Sequence, residues 1–170
     1  MKLVIGIYGK SCVGKTSVAK VLSRRLGVSV RHCGELVKER AKKLGIDFQN
    51  LPDQEHERLD KETRTIAEDC KGILIIEGRY LDRVLKDLPN SLLFHLECSD
   101  KERQRRLEKR KKIGSRRAPH KIKNTASRKV LPEIKKITQD CVTIKTDFMS
   151  VTQVAKQIRK NLEHSLHDTA

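Results

Sequence analysis

Tryptophan is absent from this chain, and aromatic residues make up only 3% of it. That weakens any reading as a single-strand nucleic-acid platform, which stacks bases on aromatic rings. Long apolar runs are missing too. The longest are a handful of residues, far short of the ~20 needed to cross a bilayer as a helix. The amino-terminal apolar run is short and is cut by Gly6, Gly9 and Lys10, which is not the pattern of a secretion signal. No Cys-x-x-Cys pair occurs. Cys12, Cys33, Cys70, Cys98 and Cys141 are odd in number and scattered, which suits reduced thiols and argues against a disulfide frame or a zinc site. Cytoplasmic localisation without membrane contact is the expectation.

What is present is a globule with a charge imbalance. The 170 residues, 36% of them hydrophobic, suit one domain with a full core. The net charge of +16 is uneven: residues 101–136 hold 16 Lys/Arg against 3 Glu. Such a local excess calls for anions, either the phosphates of a small ligand or a nucleic-acid backbone.

Strand and helix patterns alternate about five times. KLVIGIY (2–8), VSVRHC (28–33), GILIIEG (72–78), SLLFHLE (91–97) and CVTIKT (141–146) read as strands. GILIIEG is apolar without alternation, as a strand covered on both faces should be. Helices are predicted from Lys15 to Leu26, over 34–45, over 55–70 with Leu59, Ile66 and Ala67 inward, and over 81–88. Further helices are predicted over 100–112 with an Asp100 cap, over 125–137, and over 150–166. DFQNLPDQ is a connector, and residues 113–124 form a Gly/Pro-bearing loop. The pattern implies an α/β fold: a five-stranded parallel sheet with helices on both faces. Ligands then sit beyond the carboxyl ends of the strands.

One such end carries Gly9-Lys10-Ser11-Cys12-Val13-Gly14-Lys15-Thr16, which fits G-x-x-x-x-G-K-[ST]. Average composition would give this match in a chain of such length about once in 200, and here it lies between a strand and a helix, as the motif requires. The two glycines let the backbone wrap phosphate oxygens with its N–H groups inward. Lys15 reaches the β- and γ-phosphates, and the Thr16 hydroxyl ligates Mg²⁺. The following helix, with Thr16 and Ser17 in its first turn, adds its positive end. ATP and Mg²⁺ are the expected cofactors.

Three places bear on who receives the phosphate. Glu35 and Lys38 follow the second strand one helical turn apart; Lys38 suits an acceptor anion, and Glu35 an acceptor hydroxyl or a metal-bound water. Arg40 points elsewhere on that helix. Glu77-Gly78-Arg79 closes the best strand: the carboxylate suits a Mg²⁺-bound water or base catalysis, and Arg79 can fork onto a phosphate. In the basic segment, Arg103, Arg106 and Arg110 share a helix face and suit charge stabilisation on a transferring phosphoryl group. Arg116, Arg117, Lys121 and Arg128 extend that cation set into a lid. The bland alternatives are an acidic first turn, a solvated strand end and a solvated basic helix. His32, His56, His95 and His120 show no metal-site spacing. Tyr80 and Phe48 suit either an acceptor base or the core.

Taken together, GKSCVGKTSVAKVLSRRLG, CGELVKERAKKLG, LDKETRTIAEDCKGILIIEGR, RQRRLEKR and CVTIKTD resemble the nucleoside monophosphate kinases, and within them the short archaeal-type cytidylate kinases. The resemblance covers most of the chain in the right order. It implies one P-loop kinase domain over 1–170, an acceptor-binding helical region near 34–70 and a basic lid near 106–128. It also implies Lys15 and Thr16 on ATP·Mg²⁺, Lys38 and Arg79 on the acceptor phosphate, Arg106 and Arg110 in the lid, and adenine contacts near Lys145–Asp147. Two positions depart from the family: Lys38 stands where an arginine is usual, and Cys33 where Ser or Thr is common.

The leading expectation is an ATP-dependent kinase of a small phosphoacceptor, most naturally a nucleoside monophosphate such as CMP or dCMP. The catalytic set is Lys15, Glu77, Arg79, Arg106 and Arg110, with Glu35 and Lys38 on the acceptor. Alternatives are a kinase of another metabolite hydroxyl or of an RNA end, an RNA-binding ATPase that contacts RNA through 101–136, and a regulatory switch that hydrolyses ATP slowly.

Overall fold

The computed structural model describes residues 2–113 and 141–167. The expected loop at 113–124, the helix at 125–137 and the lid cations Arg116, Arg117, Lys121 and Arg128 fall outside the described residues, Ile113 apart.

Five strands form one parallel sheet in the order β2-β3-β1-β4-β5: β1 (Lys2–Tyr8), β2 (Ser29–His32), β3 (Gly72–Glu77), β4 (Ser91–Glu97) and β5 (Cys141–Lys145). β1 lies at the centre, with Leu3 beside Ile73 of β3 and Val4 beside Ser91 of β4. Because strand side chains alternate between faces, Leu3, Ile5 and Ile7 pack with Val18, Ala19 and Leu22 of α1 (Lys15–Leu26). The same cluster takes in Val154, Ala155, Ile158 and Leu162 of α6 (Val151–His167). Val4, Ile76 and Leu93 face the other way, onto Ala67 of α3 (Asp53–Asp69) and onto Leu81, Leu85 and Leu88 in and after α4 (Leu81–Val84). Both faces are covered, giving the three-layer arrangement expected from the unbroken apolar strands.

α2 (Cys33–Lys43) starts directly after β2, so Cys33 opens a helix where the sequence suggested a strand end. The connector contains a short 3₁₀ turn, Phe48–Asn50, held by Asp47, which accepts from the Gln49 amide at 2.7 Å. On α3, Ala67 is buried as expected and Leu59 and Ile66 are half-buried, while Thr63 is also fully inward. The helix expected over 81–88 stops at Val84. Pro89 disfavours a helical Leu88, and Asp87 and Asn90 adopt left-handed φ of 56° and 58°. α5 (Asp100–Ile113) is capped one residue before the expected Asp100: the Ser99 hydroxyl accepts from the Glu102 amide at 3.3 Å.

Candidate functional site

The loop between β1 and α1 is shaped by three left-handed backbones: Gly9 at φ 136°, Cys12 at 66° and Gly14 at 106°. At Gly9 a Cβ would stand 2.3 Å from the Leu96 carbonyl oxygen, so β4 tolerates only glycine there. Such turns aim successive amides inward and form an anion-binding concavity. Val13 is buried beneath the loop, Lys10, Ser11, Thr16 and Ser17 are exposed, and Cys12 lies between.

The Lys15 ammonium donates to the Lys10 carbonyl at 2.8 Å. Burial pulls its pKa below the usual lysine range, and the positive fields of Arg79 and Arg110 add to this against the opposing pull of Glu77. The charges of Glu77, Arg79 and Arg110 therefore all reach Lys15 at the mouth of the loop. These four belong to the expected catalytic set of Lys15, Glu77, Arg79, Arg106 and Arg110.

The Thr16 hydroxyl donates to Oε1 of Glu77 at 3.2 Å. Glu77 is 5% exposed, at the end of β3 and on the α1 side of the sheet, two residues beyond Ile75 of the same core. This pair suits Mg²⁺. Among the described residues no group of three or more His, Cys, Asp or Glu could hold a metal ion. Mg²⁺ commonly keeps several waters and takes one or two protein ligands plus substrate phosphates, and a hydroxyl beside a carboxylate supplies that.

Arg106 sits differently from the expected lid cation. Its Nε donates to Glu102 at 2.7 Å, Nη1 to the Val13 carbonyl at 3.1 Å and to the Thr146 hydroxyl at 3.0 Å, and Nη2 to the Thr146 carbonyl at 2.6 Å. The Thr146 hydroxyl also lies 3.2 Å from the Val13 carbonyl and 3.0 Å from that of Glu97. Arg106 and Thr146 together fasten the loop to the ends of β4 and β5. The helix-face argument also missed the acids on α5: Arg103 pairs with Asp100 at 2.7 Å and Arg105 with Glu102 at 2.6 Å. Hydrogen bonds from Arg105 and Arg106 hold the Glu102 carboxyl down to about 2.

Glu35 and Lys38 are exposed on α2. The Lys38 ammonium lies 5.8 Å over the ring of Phe48, and Arg79 and Arg83 lie 6.0 and 5.5 Å from the ring of Tyr80. Phe48 and Tyr80 are both exposed, so neither is core. Arg40 turns away, as expected, into a two-pronged pair with Glu55 at 2.6 and 2.8 Å. That pair lines a groove of about 270 Å³ between α2 and α3, which includes neither the loop nor Glu77. A smaller depression of about 110 Å³ lies against the loop itself, between Ser11, Cys12 and the Arg103, Gln104 and Leu107 side chains of α5.

His32 was passed over in the sequence for want of metal-site spacing. Its Nδ1 lies 3.1 Å from Oε1 of Glu77, on the last rung of the β2–β3 ladder, where the two residues are register partners. Strand-end alignment was the signal that could have found it.

The AAA domain family matches residues 5–130. A curated cytidylate kinase of Sulfurisphaera tokodaii is 28% identical over 177 aligned residues, covering 96% of this chain and 97% of that protein. A cytidylate kinase of Pyrobaculum arsenaticum is 30% identical over 62% of this chain and 59% of its own length. Among solved structures, a gluconokinase of Sinorhizobium meliloti shares the fold with a TM-score of 0.64 at 13% identity, over 98% of this chain and 94% of that one.

Proposed function

From the premise that this chain belongs to the AAA domain family, we propose that it is an ATP-dependent phosphotransferase whose acceptor is a nucleoside monophosphate such as CMP or dCMP. The observation that carries this reading is the phosphate loop itself: left-handed backbones at Gly9, Cys12 and Gly14, Lys15 bonded across the loop to the Lys10 carbonyl, and the Thr16 hydroxyl on Glu77. Phosphoryl transfer needs little covalent chemistry from the protein and depends on positioning and charge stabilisation, and this loop offers both. The similarity to two cytidylate kinases supports that choice of acceptor.

In this reading the amides of residues 9–16 and Lys15 hold the triphosphate. Thr16 ligates Mg²⁺ and Glu77 accepts from its water shell. Mg²⁺, when bound, neutralises charge on the β- and γ-oxygens. Arg79 meets the acceptor phosphate and Arg110 the transferring group, while Glu35 and Lys38 border the acceptor. Arg106 serves by fixing the loop's shape.

A second reading, a hydroxyl acceptor, draws on the buried Glu77 carboxylate, which is held by hydrogen bonds and suits a general base. ADP release from ATP·Mg²⁺ against a panel of nucleoside monophosphates, small alcohols and RNA oligomers separates the two. CMP or dCMP is expected to accelerate it most. Acceleration by an alcohol or RNA end alone moves the reading to a hydroxyl acceptor, and acceleration by none overturns the transferase.

A further inference from the structure

His32 is an unusual residue to bury at this position. Its side chain is 7% exposed, and Nε2 is buried with no hydrogen-bond partner among the described residues. Leaving a buried polar atom unpaired costs about 1–3 kcal/mol, and an apolar residue would pack there without that cost. A compensating role is therefore expected, and the other ring nitrogen points to it. An ionised carboxylate can only accept, so the tautomer that makes this contact a hydrogen bond carries its proton on Nδ1, 3.1 Å from Oε1 of Glu77.

Thr16 donates to that same oxygen at 3.2 Å. Oε1 is thus occupied twice by the protein. Two donors on one oxygen fix both the χ angles and the plane of the carboxylate. The backbone reinforces this, because the rung pairing His32 with Glu77 and the rung pairing Ile7 with Glu77 leave β3 little freedom to shift. The charge of Glu77 also acts on Lys15 and Cys33.

We propose that His32 is a positioning residue for divalent-cation binding: its Nδ1–H locks the Glu77 carboxylate beside the Thr16 hydroxyl, so that the two present oxygens to one nucleotide-bound cation. This deepens the proposed function and rests on it. Partners that orient a ligating group typically matter 10–100-fold in metal affinity or activity.

The test compares wild type with His32→Asn, whose amide nitrogen can replace the Nδ1 donor, His32→Gln, whose amide lies one bond further out, and His32→Leu. ATP affinity is measured by fluorescent-nucleotide displacement, with Mg²⁺ and with excess EDTA, alongside thermal melts and steady-state turnover. Without Mg²⁺ all four proteins are expected to bind ATP alike. The gain from Mg²⁺ should fall about 10-fold or more in the Leu and Gln variants and be restored in the Asn variant. Turnover should fall through kcat, with KM for the acceptor unchanged. A Leu variant that fails to melt cooperatively is replaced in the comparison by Gln against Asn. If wild type gains nothing from Mg²⁺, or does not bind ATP, the transferase reading falls and takes this proposal with it. If wild type shows the gain and the Gln variant, or a folded Leu variant, keeps it in full, the role of His32 alone is overturned.

Discussion

The Arg106 guanidinium donates to the carbonyl of Val13 at 3.1 Å. That one contact ties the basic helix to the underside of the phosphate loop and separates the jobs of two arginines four residues apart. Arg106 is bonded to protein on all three nitrogens, while Arg110 is exposed and projects its charge onto Lys15. Arg106→Leu should therefore unfold more easily, by about 2 kcal/mol from the lost hydrogen bonds, or a fall in Tm of about 5 °C. Arg110→Leu should leave Tm unchanged and lower kcat about 100-fold. Calorimetry and steady-state rates on both variants decide; equal Tm values for the two would refute the division.

Lys15→Ala removes the cation that spans the loop. ATP affinity and kcat should both fall, kcat by about 100-fold or more. Undiminished binding and turnover in that variant would sink the phosphate-loop reading.

Glu77→Gln keeps the shape of the side chain and removes its charge. With a monophosphate acceptor, whose oxygen is already nucleophilic, single-turnover rates should drop only through weaker cation binding and recover at high Mg²⁺. With a hydroxyl acceptor the loss should persist at saturating Mg²⁺, at about 100-fold or more, the usual contribution of a general base.

Gly9→Ala places a methyl against the Leu96 carbonyl oxygen, 2.3 Å away, in a backbone at φ 136° that L side chains rarely adopt. A loss of about 2–4 kcal/mol is expected from strain and displaced backbone, read in urea midpoints. Gly14→Ala meets none of the described residues within 4 Å and should cost only its left-handed φ, about 1–2 kcal/mol. Reversal of that order would refute the packing argument.

Glu102 gives stability a dependence on acid. Its folded pKa of about 2 lies below its ordinary 4.5, chiefly through hydrogen bonds from Arg105 and Arg106. The contribution is therefore whole above pH 4.5 and drains away as the pH falls through about 2. Wild type should melt higher than Glu102→Gln at pH 6, with the gap closing between pH 4.5 and 2. A constant gap across that range would show that the carboxylate's charge plays no part.

The phosphate loop and the sheet were legible in the sequence because their signals are local. Gly9, Gly14, Lys15 and Thr16 lie within eight residues, and apolar runs such as GILII identify doubly covered strands without reference to partners. The same local reading brought Glu77 and Arg79 to the correct strand end. It failed where a contact spans the chain. Helical spacing shows that Arg106 shares a face with Arg110, but not that it meets Val13, 93 positions earlier, or Thr146, 40 positions later. His32 was hidden for a similar reason, since its partner is 45 residues away and becomes its neighbour only through strand register. The shortened α4 is a local miss: Pro89 carried the signal, and the apolar spacing of Leu81, Leu85 and Leu88 outweighed it.

Strand β1, which leads into the loop, is flanked by β3 and β4, segments that begin some seventy and ninety positions downstream. The loop's own glycine rests on the Leu96 carbonyl. A growing polypeptide on the ribosome thus lacks the walls of this cradle until the fourth strand has emerged, and shaping it requires the slow closure of long segments. Nucleotide capture by a nascent or truncated chain would then be a late event, reporting that the central sheet had assembled rather than that its first twenty residues existed.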